Sequence, residues 1–127
     1  KLSDDYLHDM GLKVTLGNIP SGQDYNLEVY YDPDDKDDNN CDENPKCGDG
    51  SNTCTGGDSN CPDGPPGMKG CFSNKAGGDV VSLDCFDESV GGCGGLGCED
   101  AGTVYVHVVP ATQESGSCNA YSLDWCF

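Results

Sequence analysis

Ten cysteines in 127 residues constrain this chain more than any other feature. They stand at Cys41, Cys47, Cys54, Cys61, Cys71, Cys85, Cys93, Cys98, Cys118 and Cys126. The length suits one domain of ordinary size. Only 35% of the residues are hydrophobic, cysteines included, so the core must be small. Each bridge in a small secreted domain contributes about 2–5 kcal/mol, which is stability that such a core lacks. Zinc is the competing use of cysteine, but structural zinc sites are built from closely spaced Cys pairs, often with His. Here only Cys93 and Cys98 approach that spacing, and there are 2 His. All ten cysteines are therefore expected in disulfides, and the compartment in an oxidising one: extracellular, cell-surface or periplasmic. If residues 119–125 are extended, Cys118 and Cys126 lie roughly 25 Å apart at ~3.3 Å per residue. That is too far to bridge each other. Cys93 and Cys98 flank a Gly-Gly-Leu-Gly turn and could close on each other; the remaining pairings stay open.

Period-2 alternation defines the strands. Leu12, Val14 and Leu16 alternate with Lys13 and Thr15, and a turn follows at Gly17–Gly22. Tyr25, Leu27, Val29 and Tyr31 then alternate with Asn26, Glu28 and Tyr30, which predicts a second strand antiparallel to the first with Tyr30 on the wet face. Further strands are predicted at Val80–Cys85, at Thr103–Val108, and at Tyr121–Phe127 with Tyr121, Leu123, Trp125 and Phe127 on one face. No 3.6-residue stripe marks a helix. The expected fold is all-β: a single antiparallel β-sandwich of the jelly-roll type over residues 1–127, with long disulfide-stapled loops. Residues 32–79 read as an acidic, Cys- and Gly-rich loop insertion without strands.

That insertion opens on Asp32–Glu43, which holds seven carboxylates in twelve positions around Lys36. Carboxylates at this density are either left in water or tied together by cations. Calcium takes six to eight oxygen ligands on a flexible loop. Asp35, Asp37 and Asn39 alternate as in the opening of an EF-hand-type loop, and Asn40 stands where such a loop turns left-handed. Glu43 is a further ligand, and Asp32 and Asp34 could complete the site. The closing Glu of an EF-hand would fall at Lys46, so the pattern is closer to shorter Asp-rich calcium loops. A solvated acidic loop is the plain alternative. Asp58, Asn60 and Asp63 form a second, weaker candidate.

The net charge of −17, with six Lys and no Arg, argues against nucleic acid and against anionic lipid. No apolar run approaches a membrane span. Cations and basic or neutral protein and glycan surfaces remain as partners. The chain holds no Gly-x-Ser-x-Gly elbow, Cys-x-x-Cys pair or His-Glu-x-x-His. Asp84, Asp87 and Glu88 are the only carboxylate group suggestive of glycoside chemistry, and no aromatic platform accompanies them. Tyr30, Tyr105 and His107, with Trp125, could form a ligand-contacting surface; cross-strand packing is the plainer reading.

Ala101–Val108, followed by Cys118-Asn119-Ala120-Tyr121-Ser122-Leu123, resembles the end of bacterial pre-peptidase C-terminal domains. Gly11–Leu16 followed by Asp24–Tyr30 resembles an earlier strand pair of that family. The resemblance implies a β-sandwich appended to a secreted bacterial protein, non-catalytic, with calcium used by related collagen-binding modules. Residues 32–79 are not a feature of that family. Its early strands would precede Leu12, which implies that an upstream segment or a partner chain completes the sheet. The resulting expectation is an extracellular or cell-surface, calcium-binding accessory or adhesion module. The alternative is a structural subunit of a surface layer or filament, self-assembled through sheet edges.

Overall fold

Strand β1, Met10–Gly17, carries Leu12, Val14 and Leu16 on one face, and all three are buried. Strand β2, Tyr25–Pro33, does the same with Tyr25, Leu27, Val29 and Tyr31. Two strands that each bury one face can pair edge to edge or pack face to face; these two pack face to face. The turn after β1 holds Asn18 at φ 53°, which Asn tolerates better than most residues, and a bond from Gln23 N–H to the Pro20 carbonyl. It carries the chain from one sheet to the other. The expected antiparallel pairing of the first two strands is thus overturned: β1 and β2 belong to opposite sheets.

The structure, a computed structural model, describes residues 10–33, 46–48, 50–85, 102–111 and 120–126. These contain no helix. The remaining strands are β3 (Lys46–Cys47), β4 (Asn52–Thr55), β5 (Lys69–Ser73), β6 (Asp79–Cys85), β7 (Gly102–Pro110) and β8 (Ser122–Cys126). They form two four-stranded antiparallel sheets, in the orders β3-β6-β1-β8 and β4-β5-β2-β7. The protein is an all-β sandwich, as the alternation predicts. Three strands, β3 to β5, lie inside the 32–79 span that was expected to be loop. They are short and rich in Cys, Thr, Asn and Gly, so no alternating apolar run betrays them.

The core is a single layer. Leu12, Val14, Leu16, Val81 and Leu83 face Tyr25, Leu27, Val29, Tyr31 and Cys71, with Val104, Val106, Val108 and Leu123 packed at its margin. Burying one such Leu or Val contributes about 1.5–3 kcal/mol. The Cys47–Cys71 disulfide crosses this layer from β3 to β5 and so joins the two sheets. A second bridge, Cys54–Cys61, is local. Cys126, expected to be bridged, is instead a free, exposed thiol. It lies on β8, the outermost strand of its sheet among the described residues, and faces solvent. Cys41, Cys93, Cys98 and Cys118 lie outside the described residues. Only the strand position of Cys85, opposite Met10, is described. On β8 the predicted apolar face is used in part: Leu123 packs on the core, whereas Trp125 is 63% exposed, with no strand beyond β8 among the described residues.

Loop-closure entropy ranks these two bridges among the described residues. They close sequence separations of 24 and 7 residues, worth about 3.5 and about 2.5 kcal/mol respectively. Replacing Cys47 and Cys71 together by Ala should therefore lower the urea midpoint more than replacing Cys54 and Cys61, with the lost core packing widening the gap.

Candidate functional site

The outward faces of β2 and β7 bring the candidate side chains together. Glu28 lies opposite His107 and Tyr30 opposite Tyr105 in the antiparallel register. Alternation alone would leave all four in water. Tyr30 is instead 0% exposed and Glu28 2%, while Tyr105 is 38% exposed and His107 is half-buried. The expectation that Tyr30 offers a wet ligand surface is overturned by a second layer. The connection between β4 and β5, residues 56–68, folds over the outer face of the sheet. It is closed by main-chain bonds from Gly56 N–H to the Met68 carbonyl (2.8 Å) and from Gly67 N–H to the Gly56 carbonyl (2.9 Å). The Cys54–Cys61 bridge packs with Met68 and Phe72 around Tyr30. Two glycines make the fit possible: a Cβ at Gly64 would run into the Tyr30 hydroxyl, and one at Gly70 into the Tyr30 ring and the Val29 carbonyl.

Beneath this cover the Tyr30 hydroxyl donates to Glu28 Oε2 at 2.8 Å. The His107 ring meets Tyr30 edge-on at 5.8 Å, and its Nδ1 stands 3.9 Å from Glu28 Oε2. That last distance is too long for a hydrogen bond, so the pair attracts only when the imidazole is protonated. Burial pushes the Glu28 carboxyl above its ordinary value of 4.5, outweighing the lowering by Tyr30 and His107. Burial and the bond to Glu28 likewise push the Tyr30 phenol up. Acid, phenol and imidazole are the groups of a proton-transfer site. With Glu28 and Tyr30 buried, only His107 and Tyr105 of this cluster are accessible, and Tyr30 anchors the covering loop by packing against it.

Asp58, proposed above with Asn60 and Asp63 as a cation site, has another role. Its carboxylate accepts the N–H groups of Thr55 (3.0 Å), Asn60 (2.8 Å) and Cys61 (3.0 Å). These backbone bonds, Thr55's foremost, hold its carboxyl below the ordinary range. Asp58 thus braces the disulfide loop from within, a structural role that the sequence does not reveal. Of the calcium ligands expected in the acidic stretch, Asp32 is half-buried near the end of β2. Asp34, Asp35, Asp37, Asn39 and Glu43 lie outside the described residues, as do Asp87 and Glu88. Among the described residues no three His, Cys, Asp or Glu side chains gather as a metal-binding group. Trp125 and Tyr105 belong to different sheets, so they do not extend one aromatic face. Tyr121 instead meets Tyr25, ring centroids 5.7 Å apart.

The sequence reading missed Glu28 as a buried acid. Its signal was indirect: a cysteine pair enclosing Gly-Gly and Asp, followed by Pro- and Gly-rich residues, builds a compact loop that has to lie on something. No family model, curated protein or solved structure matches the chain.

Two outcomes test this anchor. Gly70→Ala should destabilise the fold by about 1–3 kcal/mol, because the new methyl meets backbone as well as the Tyr30 ring. Equilibrium denaturation reads this directly. Because Glu28 binds its proton more tightly when folded, its contribution to stability is greatest at low pH and is lost as pH rises above 4.5 through the raised value. Glu28→Gln keeps an acceptor for Tyr30 and removes the charge. Its stability should fall less over that pH window than the parent's, measured by denaturation at a series of pH values.

Proposed function

We propose that this chain is a non-catalytic, calcium-binding accessory or adhesion module of a bacterial extracellular protein. One observation carries the non-catalytic part. The cluster with the richest acid–base chemistry among the described residues, Glu28 with Tyr30 and His107, is closed over by the Cys54–Cys61 loop. Two disulfides among the described residues, one of them through the core, support an oxidising compartment. The charge of −17 and the seven carboxylates of Asp32–Glu43 support calcium. The resemblance of the chain's two ends to pre-peptidase C-terminal domains supports the accessory role. Tyr105 and His107, still accessible on β7, offer a contact surface for a protein or glycan.

The second reading is a structural subunit assembled through sheet edges. The observation that favours it is β8, which among the described residues pairs only with β1 and presents Trp125 to solvent.

Calcium should raise the thermal midpoint of the chelator-treated chain. Asp35→Asn with Asp37→Asn should lower the number of ions bound per chain in a calcium titration. Unfolding that is indifferent to both chelator and excess calcium sinks the calcium reading. Polymers in negative-stain images that disappear with Trp125→Ser would favour the structural subunit over the accessory module.

A further inference from the structure

We propose that the end of the sandwich where the β1–β2 connection meets the start of β6 binds one hard divalent cation of the calcium class, through Asp79 Oδ2, Asp24 Oδ1 and Gln23 Oε1. These three side-chain oxygens are buried, and among the described residues no protein donor reaches them. Buried polar atoms are nearly always paired, so three orphans of one chemical kind at one end of a small domain call for a common partner. All three are acceptors, and the partner must therefore be a donor or a cation.

The topology brings the residues that carry them to the same end of the sandwich. Gln23 and Asp24 close the connection that leads into β2. Asp79 opens β6 and lies opposite Leu16, close to the end of β1 from which that connection leaves. Asp79 is 0% exposed and shares the inward face of Val81 and Leu83. Its other oxygen is already committed: Oδ1 accepts the Ser73 hydroxyl at 2.6 Å and the Lys75 N–H at 2.7 Å. Those two bonds fix the carboxylate and leave Oδ2 as the open valence. The Lys75 ammonium does not fill it, because it rests against Gly50. The Asp24 charge is felt at Asp79, a repulsion that a cation between them would reverse.

A shared proton is the alternative. Burial, together with Asp24, pushes the Asp79 carboxyl above its ordinary value, which favours a protonated Asp79 donating to Asp24. One proton satisfies two of the oxygens and leaves Gln23 Oε1 orphaned. A calcium ion accepts all three and completes its shell with main-chain carbonyls and water. This donor set has two carboxylates and an amide, so it is compatible with the absence of any group of three His, Cys, Asp or Glu among the described residues. It also stands apart from the acidic stretch. Asp24 precedes β2 and Asp32 is near its far end, roughly 25 Å away at about 3.3 Å per residue.

The test uses the whole chain with its disulfides intact, stripped by chelator and titrated with calcium by calorimetry, with thermal unfolding alongside. The chain carrying Asp35→Asn and Asp37→Asn should still bind one ion per molecule and gain thermal stability from it. Adding Asp24→Asn to that background should weaken the remaining affinity by about tenfold or more, since calcium affinity follows ligand charge. Asp24 is only partly buried, so this variant stays measurable even where Asp79→Asn fails to fold. If the Asp35/Asp37 variant takes up no calcium, or if Asp24→Asn leaves its affinity unchanged, the buried site is refuted, whatever the acidic stretch itself does. A shared proton would show as calcium-independent stability in every variant, which also refutes the site.

Discussion

The interaction on which this structure most depends is the contact between its two sheets across one thin apolar layer. Each sheet contributes a few Leu, Val and Tyr side chains to it. A layer this thin resists shear and separation poorly by hydrophobic contact alone. The Cys47–Cys71 bridge runs through it and removes the unfolded chain's freedom to separate two segments 24 residues apart. It fastens the two-residue strand β3 to the rest of the fold, and with it the chain as it returns from the acidic stretch.

The second bridge acts on the opposite face of one sheet. Cys54–Cys61 and the Asp58 carboxylate make a rigid loop from residues that would otherwise have no regular structure. The loop buries Tyr30 and Glu28, converting an outward face into a small second core. A buried phenol and a buried acid are costly to leave unpaired, and here they satisfy each other beneath the loop. Disulfides here decide which face is wet as well as adding stability.

The two ends of the sandwich carry different chemistry. At one end, β2 leads through Asp32 into the acidic stretch. At the other, Ser73 from one sheet bonds Asp79 from the other, and this polar tie sits beside unpaired oxygens. Asp32 at one end and Asp24 and Asp79 at the other are acidic, in a chain with six Lys and no Arg to neutralise them. This is the electrostatic ground for reading the protein as a binder of metal ions rather than of phosphates or lipid.

Alternation in the sequence was enough to locate β1, β2, β6, β7 and β8, because a half-buried strand must repeat with period two. Cysteine number was enough to announce a stapled fold. What alternation could not reveal was anything that depends on a neighbour distant in sequence. Tyr30 and Val29 alternate in the same way whether or not a loop covers one side, so the burial of Tyr30 and Glu28 was decided by tertiary packing. Strands β4 and β5 have too few apolar residues to announce themselves; β5 forms on the edge that β2 offers, and β4 on the edge of β5. Whether β1 pairs with β2 or faces it is likewise invisible in either strand alone. The sequence by itself determined the all-β class, the inward-facing residues of the long strands and the acidic character. Only the tertiary structure decided the pairing of sheets, the bridges Cys47–Cys71 and Cys54–Cys61, the free thiol of Cys126, and which polar groups are sealed from water. All of these are set by contacts between segments far apart in the chain, and no local pattern encodes them.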